Sequence, residues 1–226
     1  MARISDSKGR SDSNSGYARL IGNQQLGQLL SRIQAAVIRS GNELEKELQT
    51  ATPEGLITSL DAILAGQGTM FASDIQVVFH PSMPGTSDNK GIKGDIAVFD
   101  HSKRTVLVIE LKDGDTFDTK KASGELASMT QIADWISAQT GYLSSYFFCS
   151  FNQADKEAIV KGAKRRFSME HAMTGRELCE ILSIDYDRFR TQRESTQAEN
   201  LKYFLTEILN IPEIRRMIRA MLADKS

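Results

Sequence analysis

The chain has 226 residues, a hydrophobic content of 40%, a charged content of 25% and a formal net charge of −1, which is typical of a globular protein with a sizeable core. It contains no run of 18 apolar residues, so a transmembrane helix is excluded, and its N-terminal sequence, MARISDSKGRSDSNSGY, lacks the apolar stretch of a secretory signal. The two cysteines, Cys149 and Cys179, do not have the spacing of a zinc site and fit a reducing cytoplasm.

The N-terminal part of the chain is predicted to be helical. Residues 1–18 are rich in Ser, Gly and Asp, which predicts a mobile arm. Apolar residues at spacings of three and four predict a helix over residues 21–49, broken or bent at Gly41 and Asn42. Thr52 and Pro53 predict the start of a second helix, which reaches about residue 64. Residues 19–68 are therefore expected to form the N-terminal helices.

A β-hairpin is predicted in the middle of the chain. Residues 75–79 form one strand, and a polar loop over residues 81–91 leads to the hairpin. Residues 96–99 and 105–109 are rich in β-branched side chains, and the short polar segment between them predicts a turn centred on Ser102 and Lys103. With that centre, paired residues have numbers that sum to 205, which places Asp95 directly opposite Glu110.

This register brings two carboxylates and a lysine to one face of the hairpin. Glu110 and Lys112 are two residues apart, so both side chains point to the same side of a strand. Asp95 and Glu110 would repel each other unless a cation lies between them. Two oxygen ligands beside a lysine suit a magnesium-dependent phosphodiester hydrolase. An ordinary exposed ion pair, worth about 0–1 kcal/mol, is the alternative.

The rest of the chain predicts an α/β fold. Residues 122–139 have the pattern of an amphipathic helix, and residues 146–151 that of a buried central strand. A mixed sheet with the site at one edge is expected. Helices are predicted over residues 155–167 and, behind a capping box at Thr174 and Glu177, through residue 182. Two amphipathic helices, separated at Pro212, over residues 195–226 either close the core or form a dimer surface.

The hairpin resembles the catalytic hairpin of the PD-(D/E)xK nuclease superfamily. In that pattern an Asp on one strand is followed by Glu-x-Lys at the end of the next, and Asp95, Glu110 and Lys112 match it position by position. Gly94 replaces the usual proline. The chain looks like a type II restriction endonuclease. The resemblance implies a restriction-endonuclease-like fold, in which helices flank a mixed central β-sheet, and a single nuclease domain over residues 19–226 with its catalytic core over residues 70–185.

The resemblance also implies a metal site. Asp95 and Glu110 would bind Mg²⁺ together with the backbone carbonyl of Leu111, and Lys112 would orient the attacking water or help to deprotonate it. In similar nucleases an N-terminal helix supplies a further acid, for which Glu45 is the candidate. An exposed acidic helix turn is the alternative reading of Glu45.

Basic residues near the hairpin and in two later clusters are candidates for contacts with DNA phosphates, although each could equally belong to a solvated surface. The candidates are Lys90, Lys93, Lys120, Lys121, Lys164 and Arg165. The expected partner is double-stranded DNA with a palindromic site, cut by a homodimer. A companion DNA methyltransferase and a bacterial cytoplasmic location follow from the same resemblance, and no membrane partner is expected.

Two other functions fit the same residues. The chain could be a repair or junction-resolving nuclease of the same superfamily. It could also be a DNA-binding module without catalysis, in which Asp95, Glu110 and Lys112 form a structural ion pair. The sequence has no GxSxG motif and no P-loop, which argues against a serine hydrolase, a kinase or an ATPase.

Overall fold

The structure is a computed structural model that describes residues 1–9, 15–66, 73–85, 91–114 and 119–223, with side chains described from residue 123 onward in the last range. The chain forms two compact units. Residues 45–186 make up one, called here the sheet unit, and residues 1–44 with 187–226 make up the other, called the helical unit.

The sheet unit is built on a five-stranded mixed sheet. Its strands and those of a separate two-stranded ribbon are, in chain order, β1 (Ile75–Phe79), β2 (Ser82–Met83), β3 (Ile92–Lys93), β4 (Ile96–Asp100), β5 (Thr105–Lys112), β6 (Leu143–Ser150) and β7 (Ala172–Thr174). The large sheet has the order β1-β4-β5-β6-β7, with antiparallel pairing from β1 to β5 and parallel pairing from β5 to β7. β2 and β3 pair with each other. The predicted strands and mixed sheet are confirmed, but the hairpin occupies the interior of the sheet and not its edge.

The helices are divided between the two units. They are α1 (Gly16–Ile21), α2 (Gln24–Ala51), α3 (Leu60–Leu64), α4 (Thr119–Thr140), α5 (Lys156–Gly162), α6 (Gly175–Ile181), α7 (Tyr186–Glu194), α8 (Gln197–Asn210) and α9 (Pro212–Ala223). α4 packs on β5 and β6, and α5 and α6 contact β7. The core between α4 and the sheet includes Phe99, Val108, Ile132, Ile136 and Phe148, all of which are buried. This burial supplies most of the driving force for placing α4 against the strands.

Several predicted helix limits are wrong. α2 continues through Gly41 without a break, because the burial of Leu44 and Leu48 outweighs the cost of about 1 kcal/mol that glycine imposes inside a helix. The second helix begins at Leu60, behind a side-chain cap from Ser59. α5 ends at Gly162, and Lys164 and Arg165 beyond it have left-handed φ angles of 52° and 56°.

The remaining helix predictions have mixed outcomes. The capping box of α6 is confirmed, because Thr174 Oγ1 accepts a hydrogen bond from the backbone N–H of Glu177 while the Glu177 carboxylate accepts one from the backbone N–H of Thr174. The break at Pro212 is also confirmed, since α9 starts there. α7 was not predicted. Its sequence, YDRFRTQRE, is too polar to show an apolar stripe.

The helical unit contains the first residues of the chain. The N-terminal amino group donates a hydrogen bond to the carbonyl of Arg193 at 3.2 Å, and the Asn200 side chain bonds with the backbone of Ala2 and Ile4 at 3.0 and 2.9 Å. Ala2 and Ser7 are buried. Along the described part of the chain, no helix is long and apolar enough to cross a membrane.

Candidate active site

The turn of the β4–β5 hairpin sets the register of the candidate site. The Asp100 carboxylate accepts hydrogen bonds from Ser102 Oγ at 2.7 Å, from the backbone N–H of Lys103 at 2.9 Å and from Lys103 Nζ at 2.8 Å. Arg104 then adopts a left-handed φ of 52°, and β5 begins at the next residue. These contacts close a four-residue loop, with Asp100 paired opposite Thr105.

The register matches the predicted one. Ile96 pairs with Ile109, so Asp95, one residue before β4, lies across from Glu110. Opposed residues of an antiparallel pair have Cβ atoms about 4.5–5.5 Å apart. The hairpin therefore brings the two carboxylates together, and Lys112 lies on the same face of β5 as Glu110.

Hydrogen bonds hold all three side chains at the end of β5. Asp95 Oδ2 accepts a hydrogen bond from the backbone N–H of Leu111 at 2.7 Å. Lys112 Nζ donates to Glu110 Oε1 at 2.5 Å and to Glu125 Oε1, on α4, at 2.9 Å. The side chains of Glu110, Glu125 and Lys112 are only 13%, 25% and 31% exposed, so these charges interact in a partly desolvated environment.

The electrostatics of the pair favour an added cation. Burial raises the pKa of Glu110 to about 7, and the charge of Asp95 contributes to that rise. Burial also raises the pKa of Asp95, although the hydrogen bond from Leu111 opposes the shift. Burial alone would lower the pKa of Lys112, but Glu110 and Glu125 together raise it. Lys112 therefore stays protonated at neutral pH, and it does not fully neutralise the two carboxylates.

Glu45 and His80 also lie at this site. Glu45, in α2, is close enough for its charge to raise the pKa of Asp95. Its Oε2 is 3.7 Å from His80 Nδ1. His80 follows β1 with a left-handed φ of 54°, and its backbone N–H donates to the carbonyl of Asp95 at 2.8 Å. Four acidic side chains (Glu45, Asp95, Glu110 and Glu125), one imidazole and one ammonium group therefore lie at the end of the hairpin.

The donor set fits a hard divalent cation. Within the described ranges, no group of three or more His, Cys, Asp or Glu side chains is arranged so that it could hold a metal ion. Mg²⁺ does not need three such side chains, because it binds through one or two carboxylates and keeps several waters. The oxygen atoms of the half-buried Asp95 and Glu110 match that requirement.

The predicted DNA contacts are less concentrated. Lys93 is exposed on β3, two residues before Asp95. Lys164 and Arg165 are exposed beyond α5, and no hydrogen bond or ion pair within the described part of the chain connects them to the carboxylate pair. Lys90 and the side chains of Lys120 and Lys121 lie outside the described residues. The roles of these six residues stay predictions.

Two residues of the site, His80 and Glu125, were not predicted from the sequence. His80 could have been found from the pairing of β1 with β4, because Phe79 opposite Ile96 puts His80 across from Asp95. Glu125 lies four residues before the buried Met129 on α4, so both side chains point towards the sheet. A charged residue in line with the apolar stripe of a helix was the available signal.

The raised pKa of Glu110 predicts a pH-dependent stability. Between the ordinary value of 4.5 and the folded value of about 7, the folded state binds more protons than the unfolded state. The free energy of unfolding of the metal-free protein should therefore fall as the pH rises through this window. Relative to Glu110→Gln, the wild type should lose on the order of 2 kcal/mol from pH 4.5 to pH 7.

Urea unfolding of both proteins in EDTA at a series of pH values measures this difference. Glu110→Gln is the matched control, because it keeps the size of the side chain and removes its titration. A difference in free energy that stays constant across the window would contradict the prediction.

The chain is similar to a known protein along nearly its whole length. The type II restriction enzyme HhaII of Haemophilus parahaemolyticus is 41% identical to this chain over 228 residues, which cover 97% of this chain and 99% of the relative. No protein-family model and no solved structure matches the chain.

Proposed function

This chain belongs to the type II restriction enzymes, and we propose that its cleavage centre consists of Asp95, Glu110 and Lys112. The family is shown by 41% identity that extends over nearly the whole of both chains. The protein is a site-specific endonuclease that hydrolyses DNA. We further propose that the chain is a member of the PD-(D/E)xK superfamily and has its restriction-endonuclease-like fold. The main support for the proposed cleavage centre is the strand pairing that sets Asp95 across from Glu110, with Lys112 on the same face of β5.

Type II restriction enzymes generally use divalent metal ions, and the proposed ion here is Mg²⁺. Asp95, Glu110 and the backbone carbonyl of Leu111 would hold it, with Glu45 as a further acid. Mg²⁺ held by these residues would supply Lewis acidity at the scissile phosphate and would make a water molecule easier to deprotonate. The partly buried carboxylates support this assignment, because a bound cation would offset their mutual repulsion.

Lys112 acts as a cationic donor in this proposal. Its raised pKa keeps the ammonium group protonated, so the side chain cannot serve readily as a proton acceptor at neutral pH. It can orient the attacking water with an N–H bond and offset the negative charge that develops on the phosphoryl oxygens. Lys90, Lys93, Lys120, Lys121, Lys164 and Arg165 are proposed to contact the DNA phosphates.

The first test is cleavage of unmethylated phage-length DNA by the purified protein, with Mg²⁺ and with EDTA. Discrete fragments that appear only with Mg²⁺ would support a palindrome-specific restriction enzyme, and sequencing of their ends would give the site. A smear or nicked circles would favour a repair or junction-resolving nuclease. Intact DNA that the protein nevertheless binds would favour the non-catalytic module.

A homodimer is the proposed active form. Each chain supplies one Asp95–Glu110 pair. Cleavage of both strands of a palindromic site needs two such centres, related by a two-fold axis. α8 and α9 carry exposed apolar side chains at helical spacing that could form such an interface. They are Leu201, Leu205, Leu209, Met217, Met221 and Leu222, each 47% to 62% exposed.

We predict that Leu205→Glu weakens dimerisation about 30-fold. A symmetric interface would lose two half-exposed leucines, each contributing roughly 1 kcal/mol, and would gain two charges. Light scattering across a dilution series measures the change. Thr206→Glu adds the same charge to an exposed position outside the apolar stripe, and it should not alter the mass. Equal behaviour of the two variants would place the interface elsewhere.

We also propose a cellular location and a companion enzyme for this protein. A restriction enzyme in a bacterial cytoplasm requires protection of the host DNA, so a companion DNA methyltransferase with the same recognition sequence is expected. Methylation of the substrate by such an enzyme should prevent the fragmentation described above.

A further inference from the structure

Lys112 is held by two carboxylates that come from different parts of the fold. Glu110 lies on the same strand, two residues away, while Glu125 belongs to α4. The ammonium group has three donors. Within the described part of the chain, Glu110 and Glu125 are the acceptors that hydrogen-bond with Nζ, so the third donor can face the scissile phosphate or a water.

The position of Glu125 is set by the packing of α4. Met129, Ile132 and Ile136 continue the same helical face towards the sheet, and each is no more than 1% exposed. Glu125 lies one helical turn before Met129 on this face, at a position where the spacing of the apolar residues would predict another apolar side chain. Its carboxylate is 25% exposed and makes its ion pair with Lys112. A carboxylate at such a position is costly unless it has a partner or a function.

Glu110 alone is a poor anchor for Lys112. In the proposed function, Glu110 is also a ligand of the divalent ion, so its oxygen atoms serve two cations. A lysine side chain has several rotatable bonds and loses much rotamer freedom when it is held in one place. Glu125 offers a carboxylate on a rigid helix that is not among the proposed metal ligands.

We propose that Glu125 is a positioning residue, which holds the Lys112 ammonium group at the reaction centre through the contact between Glu125 Oε1 and Lys112 Nζ. This inference rests on the proposed function, because it assigns Glu125 to the support of a catalytic lysine. Glu125 itself does not touch the substrate. Its removal releases Lys112 from one of its two anchors and leaves the carboxylate pair of the metal site in place.

Single-turnover cleavage at saturating enzyme and Mg²⁺ tests the inference. Glu125→Ala should lower the cleavage rate about 10- to 100-fold, the range expected when a reacting group is misplaced or loses a supporting partner. The affinity for DNA, measured with Ca²⁺ in place of Mg²⁺, should stay close to that of the wild type. Glu125→Gln should recover part of the rate, because its amide oxygen can still accept a hydrogen bond from Nζ. Asp134→Ala, at an exposed position on the same helix, is the matched control.

A second readout needs neither metal nor activity. In EDTA, the reaction of Lys112 with a lysine-selective acylating reagent can be followed by peptide mass spectrometry. Loss of the Glu125 contact should increase acylation of Lys112 severalfold in Glu125→Ala, less in Glu125→Gln, and not at all in Asp134→Ala. Thermal unfolding of each variant shows whether the fold is retained.

The outcomes separate this inference from the proposed function. A Glu125→Ala protein that cleaves and acylates like the wild type, while Lys112→Ala is inactive, would overturn the role of Glu125 alone. A rate loss that Glu125→Ala and Glu125→Gln share equally, together with a lower melting temperature, would also overturn it and would mark a structural ion pair. Full activity of Lys112→Ala would overturn both.

Discussion

Replacing Lys112 with alanine is expected to reduce the rate of DNA cleavage by about 10²- to 10³-fold, the loss typical when one preorganised donor is removed from a transition state. The side chain is held by Glu110 and Glu125 in a partly buried position, so its charge is poorly screened by water. Binding of DNA should change much less, because the proposed role of Lys112 concerns charge that develops during the reaction. Single-turnover cleavage and a binding titration with Ca²⁺ measure the two effects separately.

Two controls support this measurement. Lys103→Ala removes an exposed lysine from the turn at the opposite end of the same hairpin, and it should cleave at nearly the wild-type rate. Thermal unfolding of Lys112→Ala is needed as well, because Glu110 and Glu125 lose the cation between them and repel each other. A folded Lys112→Ala protein with the wild-type cleavage rate would exclude Lys112 from the cleavage centre.

Asp95→Asn is expected to abolish measurable cleavage through loss of the metal ion. The substitution removes the negative charge and leaves only a neutral carbonyl oxygen as a possible ligand. We expect the affinity for Mn²⁺, measured by titration calorimetry, to fall by at least about 100-fold. Loss of a group that only supports a metal ligand lowers metal affinity by up to about 100-fold, and loss of a ligand itself should cost no less. The fold should persist, because the amide oxygen can still accept the hydrogen bond that Leu111 donates to Asp95 Oδ2.

Asp100→Asn is the matched control for this substitution. Asp100 lies at the other end of β4 and accepts hydrogen bonds from Ser102 and Lys103 in the turn. Its replacement should leave the affinity for Mn²⁺ unchanged, although the turn loses a favourable charge. Binding of Mn²⁺ by Asp95→Asn with the wild-type affinity would show that the metal site lies elsewhere.

The hairpin was the most predictable part of the fold. Its strands are short runs of β-branched residues separated by four polar residues, and both signals are local in sequence. The register followed from the centre of the turn, and the pairing of Ile96 with Ile109 confirms it. Since side chains alternate along a strand, that register alone places Asp95, Glu110 and Lys112 on one face.

Helix limits were less predictable. Gly41 carries a local signal for a break, but the burial of Leu44 and Leu48 keeps α2 continuous. The residues after Gly162 carry a continuing helical pattern, yet the left-handed turn at Lys164 and Arg165 ends the regular structure. In both cases tertiary packing, of Leu44 and Leu48 in α2 and of Phe167 on Phe148 after α5, outweighs differences in intrinsic propensity of about 1 kcal/mol or less per residue.

The sequence by itself determined that Asp95, Glu110 and Lys112 share one face of the hairpin, because the period of a strand and the length of a turn are local properties. Only the tertiary structure decided what surrounds them. Glu125 reaches Lys112 because α4 packs its apolar face on β5, and His80 reaches Asp95 because β1 pairs with β4. These contacts join residues 13 and 15 positions apart. Local patterns show which faces are apolar, but burial of the core decides which elements those faces pack against.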